Sequence, residues 1–420
     1  MGVPVIHVNA ETGCWQASGG GARSPQLLRV LATGDICPMR GWRLDACFAG
    51  GAPKAAAVYG DVLPQLADKD LSVTNLELTL SEKGEPIIKD GPVLQGPPAA
   101  IEGIVAGQFD AAVMANNHVL DMGPEALLET IALVRSRGVA VVGAGENLAD
   151  ASKLVVLERR GVRVGLLAFA ENEFCNATPT TPGGAALQPG PNVNIVRRSR
   201  EACDLLIVFV HGGNEFCPFP SPRMVRDYRA LVDAGADAVI GHHPHTVQGV
   251  ELHAGVPIVY SLGNFLFWAD PKEVPATWWL EMFARLHFDG RRCVRVDVHP
   301  VDFDPRTVTA KLSTGTDKRA FLTRLNRLSQ IIADRDLHQR FWSAYCLTRM
   351  QHYLDWIKDM RQDIESPQRR RHAAARLKNL FSCEAHCEVL VTGLELIRQG
   401  RDGDDFAVGD ELSRFMGDAR

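Results

Sequence analysis

Six short apolar runs, each ending in polar residues, constrain the fold of this chain more than any other feature. The runs span 27–35, 71–77, 109–118, 162–171, 204–213 and 236–243. Near-continuous apolar runs of this length are typical of strands that are buried on both faces. Residues 124–138 and 221–235 instead carry apolar residues at helical spacing, with Pro in the first turn and Gly at the end. Alternating strands and helices predict an α/β architecture.

Further along the chain, the pattern changes twice. Residues 255–268 and 291–303 add strands without helices between them, which predicts a mixed sheet with a meander in its second half. After about residue 310 the strand signals stop, and the segments 317–334, 336–360 and 366–397 predict three helices followed by a loose polar tail. Residues 1–25 include a Gly-rich run and show no periodicity. We therefore predict a flexible segment over 1–25, an α/β domain over 26–309 and a helical C-terminal region over 310–420.

The composition limits the class of partner. Hydrophobic residues make up 46% of the 420 residues, charged residues 23%, and the formal net charge is -5. This composition is typical of a globular protein, and the net negative charge does not favour a nucleic acid or an anionic membrane surface as partner. The ten cysteines are scattered, which favours reduced thiols. Without a secretory pattern, or an apolar run near the roughly 20 residues that span a bilayer, we expect a cytoplasmic protein with no membrane segment.

Polar side chains collect where the predicted strands end. In an open α/β sheet, ligands bind outside the carboxyl ends of the strands. Five strand endings contribute carboxylate, amide or imidazole groups: Asp35, Asn75, Glu77, Asn116, Asn117, His118, His211, Glu215, His242, His243 and His245. These groups suit divalent ions such as Mn, Fe, Zn or Mg, and no thiolate cluster favours a structural zinc. The sequence predicts a divalent-metal site at this edge.

A site for two ions needs about six or seven protein ligands, one of them a bridging carboxylate. Six residues nearly fill that requirement: Asp35, Glu77, Asn117, His211, His243 and His245. Pro244 favours an extended backbone at His243. Since residues i and i+2 of an extended chain face the same side, His243 and His245 are predicted to aim at one point and His242 to face away.

An ordered series of motifs resembles a known family. The series comprises GDICPMR around Asp35, NLE (75–77), ANNHVLDMG (115–123), VGAGENLADA (142–151), HGGNEF (211–216), PSP (220–222) and the stretch 235–267. It is similar to the CapA-like family of capsule, or poly-γ-glutamate, biosynthesis, which itself resembles the calcineurin-like metallophosphoesterases. The resemblance runs from about Arg29 to Phe303. It implies an αββα sandwich with mixed sheets, extended here by the C-terminal helices, and metals at the strand ends.

The resemblance also implies individual roles. Asp35 is the ligand of the first motif, Glu77 takes the bridging position, and Asn117 is a ligand. His118 lies beside the metals without binding them, while His211 and the paired histidines complete the set. The chain departs from the phosphoesterase pattern at Cys37, which stands where a further histidine is usual. The number of metal ions, one or two, therefore stays open, and so does a ligand role for Cys37.

Under this interpretation the chain is a hydrolase. A metal-activated water attacks a phosphoester or a γ-glutamyl-type amide in a small or polymeric substrate with anionic groups. His118 protonates the leaving oxygen or stabilises the charge of the transition state, and Asp121 orients the His118 side chain. Arg40 binds an anionic group of the substrate and Glu215 a ligand or amine. The residues assigned to support the ligands from behind are Asn75, Asn116 and His242.

Two alternatives compete with hydrolysis: a metal-binding accessory subunit of an amide-forming synthetase, and a degenerate relative that only binds a ligand.

The C-terminal helices have three open roles, namely packing on the domain, covering the site or forming a homo-oligomer. CEAHC (383–387) places Cys383, His386 and Cys387 at helical spacing, but three ligands favour a buried helix face over a zinc site.

Overall fold

The computed structural model describes residues 6–17, 27–404 and 406–417. The strands, in chain order, are β1 (Cys14–Gln16), β2 (Leu28–Cys37), β3 (Leu71–Leu76), β4 (Thr79–Leu80), β5 (Gln95–Gly96), β6 (Ala111–Val113), β7 (Ala140–Val142), β8 (Ala144–Gly145), β9 (Val155–Arg159), β10 (Val162–Ala170), β11 (Gly183–Gly184), β12 (Leu205–His211), β13 (Ala238–His242), β14 (Val250–His253), β15 (Val256–Val259), β16 (Asn264–Phe267), β17 (Glu281–Asp289), β18 (Arg292–Asp304) and β19 (Thr309–Leu312). The α-helices are α1 (Leu44–Phe48), α2 (Ala52–Val58), α3 (Leu63–Ala67), α4 (Ile101–Ala106), α5 (Gly123–Ser136), α6 (Leu148–Ala151), α7 (Pro189–Arg200), α8 (Pro222–Asp233), α9 (Gly315–Ala333), α10 (Arg335–Glu365), α11 (Arg370–Ser382), α12 (Glu384–Arg398) and α13 (Gly409–Met416).

Most of the strands form two mixed sheets. The first has nine strands in the order β1-β18-β17-β2-β3-β6-β7, with β16 also beside β2 and β19 beside β18. The second has six strands in the order β14-β15-β13-β12-β10-β9. In the second sheet, β10, β12, β13 and β15 run parallel, and the edge strands β9 and β14 run antiparallel to them.

The sheets pack face to face between two helical layers. Val30 of β2 and Ile207 of β12 lie in the core between the sheets. Leu31, one residue on, points to the opposite face and packs with Phe48 of α1. The outer face of the second sheet packs Val208 against Tyr228 of α8. This arrangement is the αββα sandwich with mixed sheets that the family resemblance implies.

Local signals explain the helix that precedes β13. The Ser221 side chain accepts a hydrogen bond of 3.2 Å from the Met224 N–H, and Pro222 occupies the first turn of α8. The helix ends before Gly235, whose φ of +119° few other residues adopt. The chain then enters β13, which delivers the crowded histidines.

The mixed pairing and the meander predicted for the second half are confirmed, since β17, β18 and β19 pair antiparallel in order, but the strands lie in two sheets instead of one. Residues 255–268 cross from one sheet to the other, since β15 pairs with β13 and β16 pairs with β2. The turn between them includes Gly263 at φ +70°. Apolar periodicity alone does not register such a crossing, because both strands are buried.

The flexible segment predicted over 1–25 is wrong for residues 6–17, and the rest of it, 1–5 and 18–25, lies outside the described residues. Ile6 and Val8 are buried, and the Val8 N–H donates to Asn326 Oδ1 of α9 at 2.8 Å. Strand β1 pairs with β18. Three residues are too few to show a strand period, so the sequence carried no signal for it.

The C-terminal region also differs from its prediction. Residues 366–397 form two helices, α11 and α12, because the backbone at Cys383 is extended (φ -80°, ψ 122°). The tail predicted to be loose contains α13, with Leu412 and Phe415 buried. Strand β19 ends at Leu312, beyond the boundary predicted at 309. Among the described helices, none is long and apolar enough to cross a membrane.

Candidate metal centre

The carboxyl ends of the two sheets meet at one buried edge. Asp35 lies beside Asn75 across β2 and β3, and His211 lies beside His242 across β12 and β13. The backbone of β2 passes close to the crossing segment, where a Cβ at Gly34 would lie 2.1 Å from the Gly263 carbonyl oxygen. Glycine is therefore required beside Asp35, and the polar ends of both sheets come together there.

Two groups of candidate ligands share one carboxylate. Glu77, His211 and His243 form the first group, and Asp35, Glu77 and His245 form the second, with the ligand atoms of each group within 4.8 Å of one another. Glu77 Oε1 lies 3.4 Å from His211 Nε2 and 3.7 Å from His245 Nε2. This buried oxygen has no hydrogen-bond partner among the described residues. An orphaned carboxylate oxygen between two sets of donors fits a bridging position for cations.

Asn117 adds an amide oxygen to the first group. Its Oδ1 lies 3.0 Å from His211 Nε2. Carbonyl, carboxylate and imidazole donors together suit a divalent ion of intermediate hardness. The structure thus brings all six predicted ligands into one cluster.

The charges of the cluster favour a cation. Burial and the charge of Asp35 raise the pKa of Glu77 well above its usual range. Burial opposes ionisation of Asp35 as well, but a hydrogen bond from His242 and the nearby imidazoles outweigh it and lower its pKa. Two buried carboxylates this close are costly without a positive partner.

Burial lowers the pKa values of His211 and His245. These imidazoles are therefore neutral near pH 7, and a neutral imidazole is the form that binds a metal.

Three predicted supporting residues contact the ligands or their loops. His242 Nδ1 lies 2.9 Å from Asp35 Oδ1, and the Asn75 side chain donates to the same oxygen at 2.8 Å. The Asn116 side chain donates to the Leu76 carbonyl oxygen at 2.9 Å, which joins the loop after β6 to the end of β3. The contacts of His242 and Asn75 fix the direction of the Asp35 carboxylate, as groups behind metal ligands commonly do, and the Asn116 contact holds the loop that carries Asn117.

The backbone predicted for the paired histidines is wrong. His243 has φ +98° and His245 has φ +52°, so neither is extended despite Pro244 between them. The two rings nevertheless lie 6.0 Å apart and enter the same cluster. Positive φ is unfavourable for residues other than glycine and is concentrated at functional sites. The tight turn, rather than strand alternation, aims the two imidazoles.

His118 lies outside both ligand groups and is held by a buried charge pair. Its Nδ1 is 2.7 Å from Asp121 Oδ2, and the Lys89 ammonium donates to Asp121 Oδ1 at 2.7 Å. Burial and the charge of Lys89 lower the pKa of His118 to about 4. The contact with Asp121 is the one the sequence predicts.

The two predicted substrate contacts, Arg40 and Glu215, lie in different parts of the structure. Arg40 is exposed and donates to Glu82 at 2.7 Å, so the structure does not bring it to the cluster. Glu215 is half-buried. Burial opposes its ionisation, but the nearby His243 and His245 outweigh burial and lower its pKa, so Glu215 lies within electrostatic range of the cluster.

Cys37 packs in the apolar layer outside the first sheet and belongs to neither group. Burial and the charge of Glu77 raise the pKa of its thiol well above the usual range. A protonated, buried thiol behaves as a small apolar side chain rather than as a ligand. Nor do the residues of CEAHC form a ligand group within the described chain.

Sequence reasoning assigned no role to four residues of this site. Asn264 Oδ1 lies 2.9 Å from His245 Nδ1, and the Trp278 ring lies 4.9 Å from the His245 ring. Glu173 Oε1 lies 3.8 Å from His243 Nε2, and Lys89 reaches the His118–Asp121 pair. Asn264 begins its strand instead of ending it. The other three lie in loops or a short turn, where no periodic pattern marks them.

Comparison with known proteins places these residues in a family context. The family model described as bacterial capsule synthesis protein PGA_cap matches residues 29–269. The capsule biosynthesis protein CapA of Bacillus anthracis is 30% identical over 61% of this chain and 64% of its own length. The PGA biosynthesis protein CapA of Bacillus subtilis (strain 168) is 30% identical over 47% and 52%, respectively.

A "Probable polyglutamine synthesis accessory protein" of Mycobacterium tuberculosis (strain ATCC 25618 / H37Rv) is 28% identical over 49% of this chain and 58% of its own length. The chain thus spans about half to two thirds of the length of these relatives. A solved 5'-nucleotidase precursor from Thermus thermophilus aligns over 73% of this chain and 59% of that chain, with 14% identity and a TM-score of 0.36. That likeness is too low to carry an argument about function.

Proposed function

The chain belongs to the bacterial capsule synthesis protein PGA_cap family, and on that premise we propose that it is a divalent-metal-dependent hydrolase. The observation that carries the proposal is Glu77, whose buried and unpartnered Oε1 lies between His211 and His245. The reaction is hydrolysis of a phosphoester or a γ-glutamyl-type amide, in capsule or poly-γ-glutamate biosynthesis or in a related metabolic route.

The donors would suit two cation positions. Asp35, Glu77 and His245 would hold one ion, and Glu77, His211, His243 and Asn117 would hold the other. Bound Mn, Fe, Zn or Mg ions supply acidification of a water molecule and stabilisation of negative charge in the transition state. His242, Asn75 and Asn264 fix the directions of Asp35 and His245, so the donors need little rearrangement when an ion binds.

His118 is the proposed proton donor to the leaving group. Asp121 accepts the hydrogen bond from Nδ1 and stabilises the imidazolium, which leaves Nε2 for the substrate. The unliganded side chain has a pKa of about 4 and is neutral at pH 7. An anionic group of the substrate beside Nε2 would raise that pKa and favour protonation of His118.

The test combines metal content with turnover. The full chain is loaded separately with Mn, Zn, Fe and Mg and assayed on phosphomonoesters, phosphodiesters and γ-glutamyl amides. We expect turnover with at least one metal and substrate class, and its loss in Asp35→Asn. The exposed Glu146→Gln serves as the control. No turnover with any metal on any class would overturn the proposal.

One observation favours a second candidate. The relative from Mycobacterium tuberculosis is named an accessory protein, which fits a metal-binding subunit of an amide-forming synthetase. This role requires ATP consumption only when the chain is mixed with a partner ligase. Hydrolysis by the isolated chain argues against it.

A further inference from the structure

Two loops and helix α8 contact the C-terminal helices near the metal-ligand cluster. Arg376 of α11 donates to Asp90, the neighbour of Lys89, at 2.9 Å. The Asn172 side chain, after β10, donates to the Ser382 carbonyl oxygen at 3.1 Å. Arg223 of α8 donates to Glu388 of α12 at 3.1 Å. These contacts hold α11 and α12 beside the carboxyl edge of the sheets, beyond the region that matches the family.

Three side chains of α10 and α12 form a cluster that we call the roof: Arg349, Tyr353 and His386. The Arg349 guanidinium lies 5.4 Å from the centre of the Tyr353 ring, and the Tyr353 and His386 rings are 5.4 Å apart. Arg349 Nε and His386 Nδ1 are buried without a hydrogen-bond partner among the described residues. Buried polar atoms of this kind are normally hydrogen-bonded, so both can bind a ligand.

The loop after β10 contacts both the metal ligands and the C-terminal helices. Glu173 Oε1 is 3.8 Å from His243 Nε2, and its neighbour Asn172 contacts Ser382, four residues before His386. Burial opposes the charge of Arg349, but Tyr345, Tyr353 and Glu215 outweigh it and raise its pKa. A single loop therefore contacts the metal ligands and the segment that leads into α12.

We propose that Arg349 and His386 bind an acidic substituent of the substrate, a carboxylate or a phosphate, at a point away from the scissile bond. The inference rests on the proposed function, in which the metal-ligand cluster holds the reacting end. Arg349 takes the role that the sequence predicts for Arg40, which lies at the surface with Glu82. A guanidinium forms two parallel hydrogen bonds with either acid, and partial burial strengthens them.

The experiment measures binding of small acids to the metal-loaded full chain by calorimetry. Glutarate carries two carboxylates, one for the metal ligands and one for the roof, whereas butyrate carries one. We expect glutarate to bind about tenfold tighter than butyrate, the change that corresponds to one charge-assisted hydrogen bond. Arg349→Ala and His386→Ala should abolish this preference and leave butyrate binding unchanged. 4-Phosphonobutyrate replaces one carboxylate by a phosphonate, so its affinity relative to glutarate tells which acid the roof takes.

Controls separate folding and metal binding from recognition. Arg361→Ala changes an exposed arginine of the same helix and should keep the preference. Arg349→Lys keeps the charge but loses the planar fork, so it should keep part of the preference, and thermal melting checks that each variant folds. Metal content is measured on every sample. A chain without metal refutes the proposed hydrolase, whereas a metal-loaded chain that shows no glutarate preference, or keeps it in Arg349→Ala, refutes the roof.

Discussion

The metal-ligand cluster and the roof place polar side chains by different means. In the cluster, hydrogen-bonded strands fix the spacing: His211 and His242 are register partners, as are Asp35 and Asn264. In the roof, Arg349, Tyr353 and His386 meet through side-chain contacts between two helices. The backbone of a buried sheet tolerates little change, whereas helices joined by half-buried ion pairs adjust more readily. The proposed chemistry is therefore assigned to the rigid region and the proposed recognition to the adjustable one.

The largest effect that this comparison predicts is at Glu77, which both ligand groups share. Glu77→Gln removes the charge between them, so we expect loss of both ions and turnover about 10³-fold lower, the upper range for removing one electrostatic contact. His211→Asn should remove the ion of only one group. Metal content by mass spectrometry, beside turnover, checks both expectations. Two ions retained in Glu77→Gln would contradict the bridging role, and Glu146→Gln again serves as the exposed control.

The next effect distinguishes a proton donor from a ligand within the rigid region. His118→Asn should lower turnover about 10²- to 10⁴-fold, the usual contribution of general acid catalysis, with metal content unchanged. Asp121→Asn should have a smaller effect, because the imidazole loses its orientation but remains. If metal is lost together with His118, this residue is a ligand after all.

Much of this rigid region could be predicted from sequence, because its residues follow apolar runs. Asp35, His211 and His243 end or follow strands whose burial the sequence already shows, and parallel strands bring such ends to one edge. The backbone at His243 could not be predicted, since the rule for residues before proline describes a local preference that tertiary contacts override. Asn264 could not be predicted either, because the crossing between sheets leaves no periodic trace.

The roof could be predicted least. Its helices carry regular apolar spacing, but the partner of Arg349 depends on which loops lie beneath it. The prediction for Arg40 rests on its nearness to Asp35 in sequence, but its side chain reaches Glu82 at the surface. Distance along the chain is a poor guide to distance in space once a segment leaves its strand.

A smaller effect is expected where the adjustable region docks. Burial raises the pKa of Glu388 to about 7, although Arg223 acts to lower it. The folded chain thus holds this proton to a higher pH than the unfolded chain, whose glutamate titrates near 4.5. The stability from Glu388 is fully present below pH 4.5 and is lost as the pH rises through about 7. Glu388→Gln should therefore flatten the decrease in Tm between about pH 5 and 7.5.

Scanning calorimetry across that pH range measures the difference between the variant and the original chain. The same series on Glu146→Gln, an exposed glutamate, should follow the original chain. A Glu388→Gln curve parallel to the original at every pH would show that Glu388 does not titrate in this window.

The smallest effect is expected at Arg40. Its ion pair with Glu82 is exposed on both sides, and such pairs contribute about 0.5 kcal/mol or less. Arg40→Ala should leave Tm, metal content and the glutarate preference unchanged. Loss of the glutarate preference in Arg40→Ala would show that Arg40, and not the roof, binds the acidic group.

The crossing of residues 255–268 between the sheets has a consequence for how the protein matures. His242 and Asp35 are 207 residues apart in sequence, and their contact forms only when both sheets are complete. Contacts over such separations form slowly, because long loops must close first. Capture of an ion is then expected as the last step of folding. The time of metal uptake during refolding would therefore report when both sheets have formed.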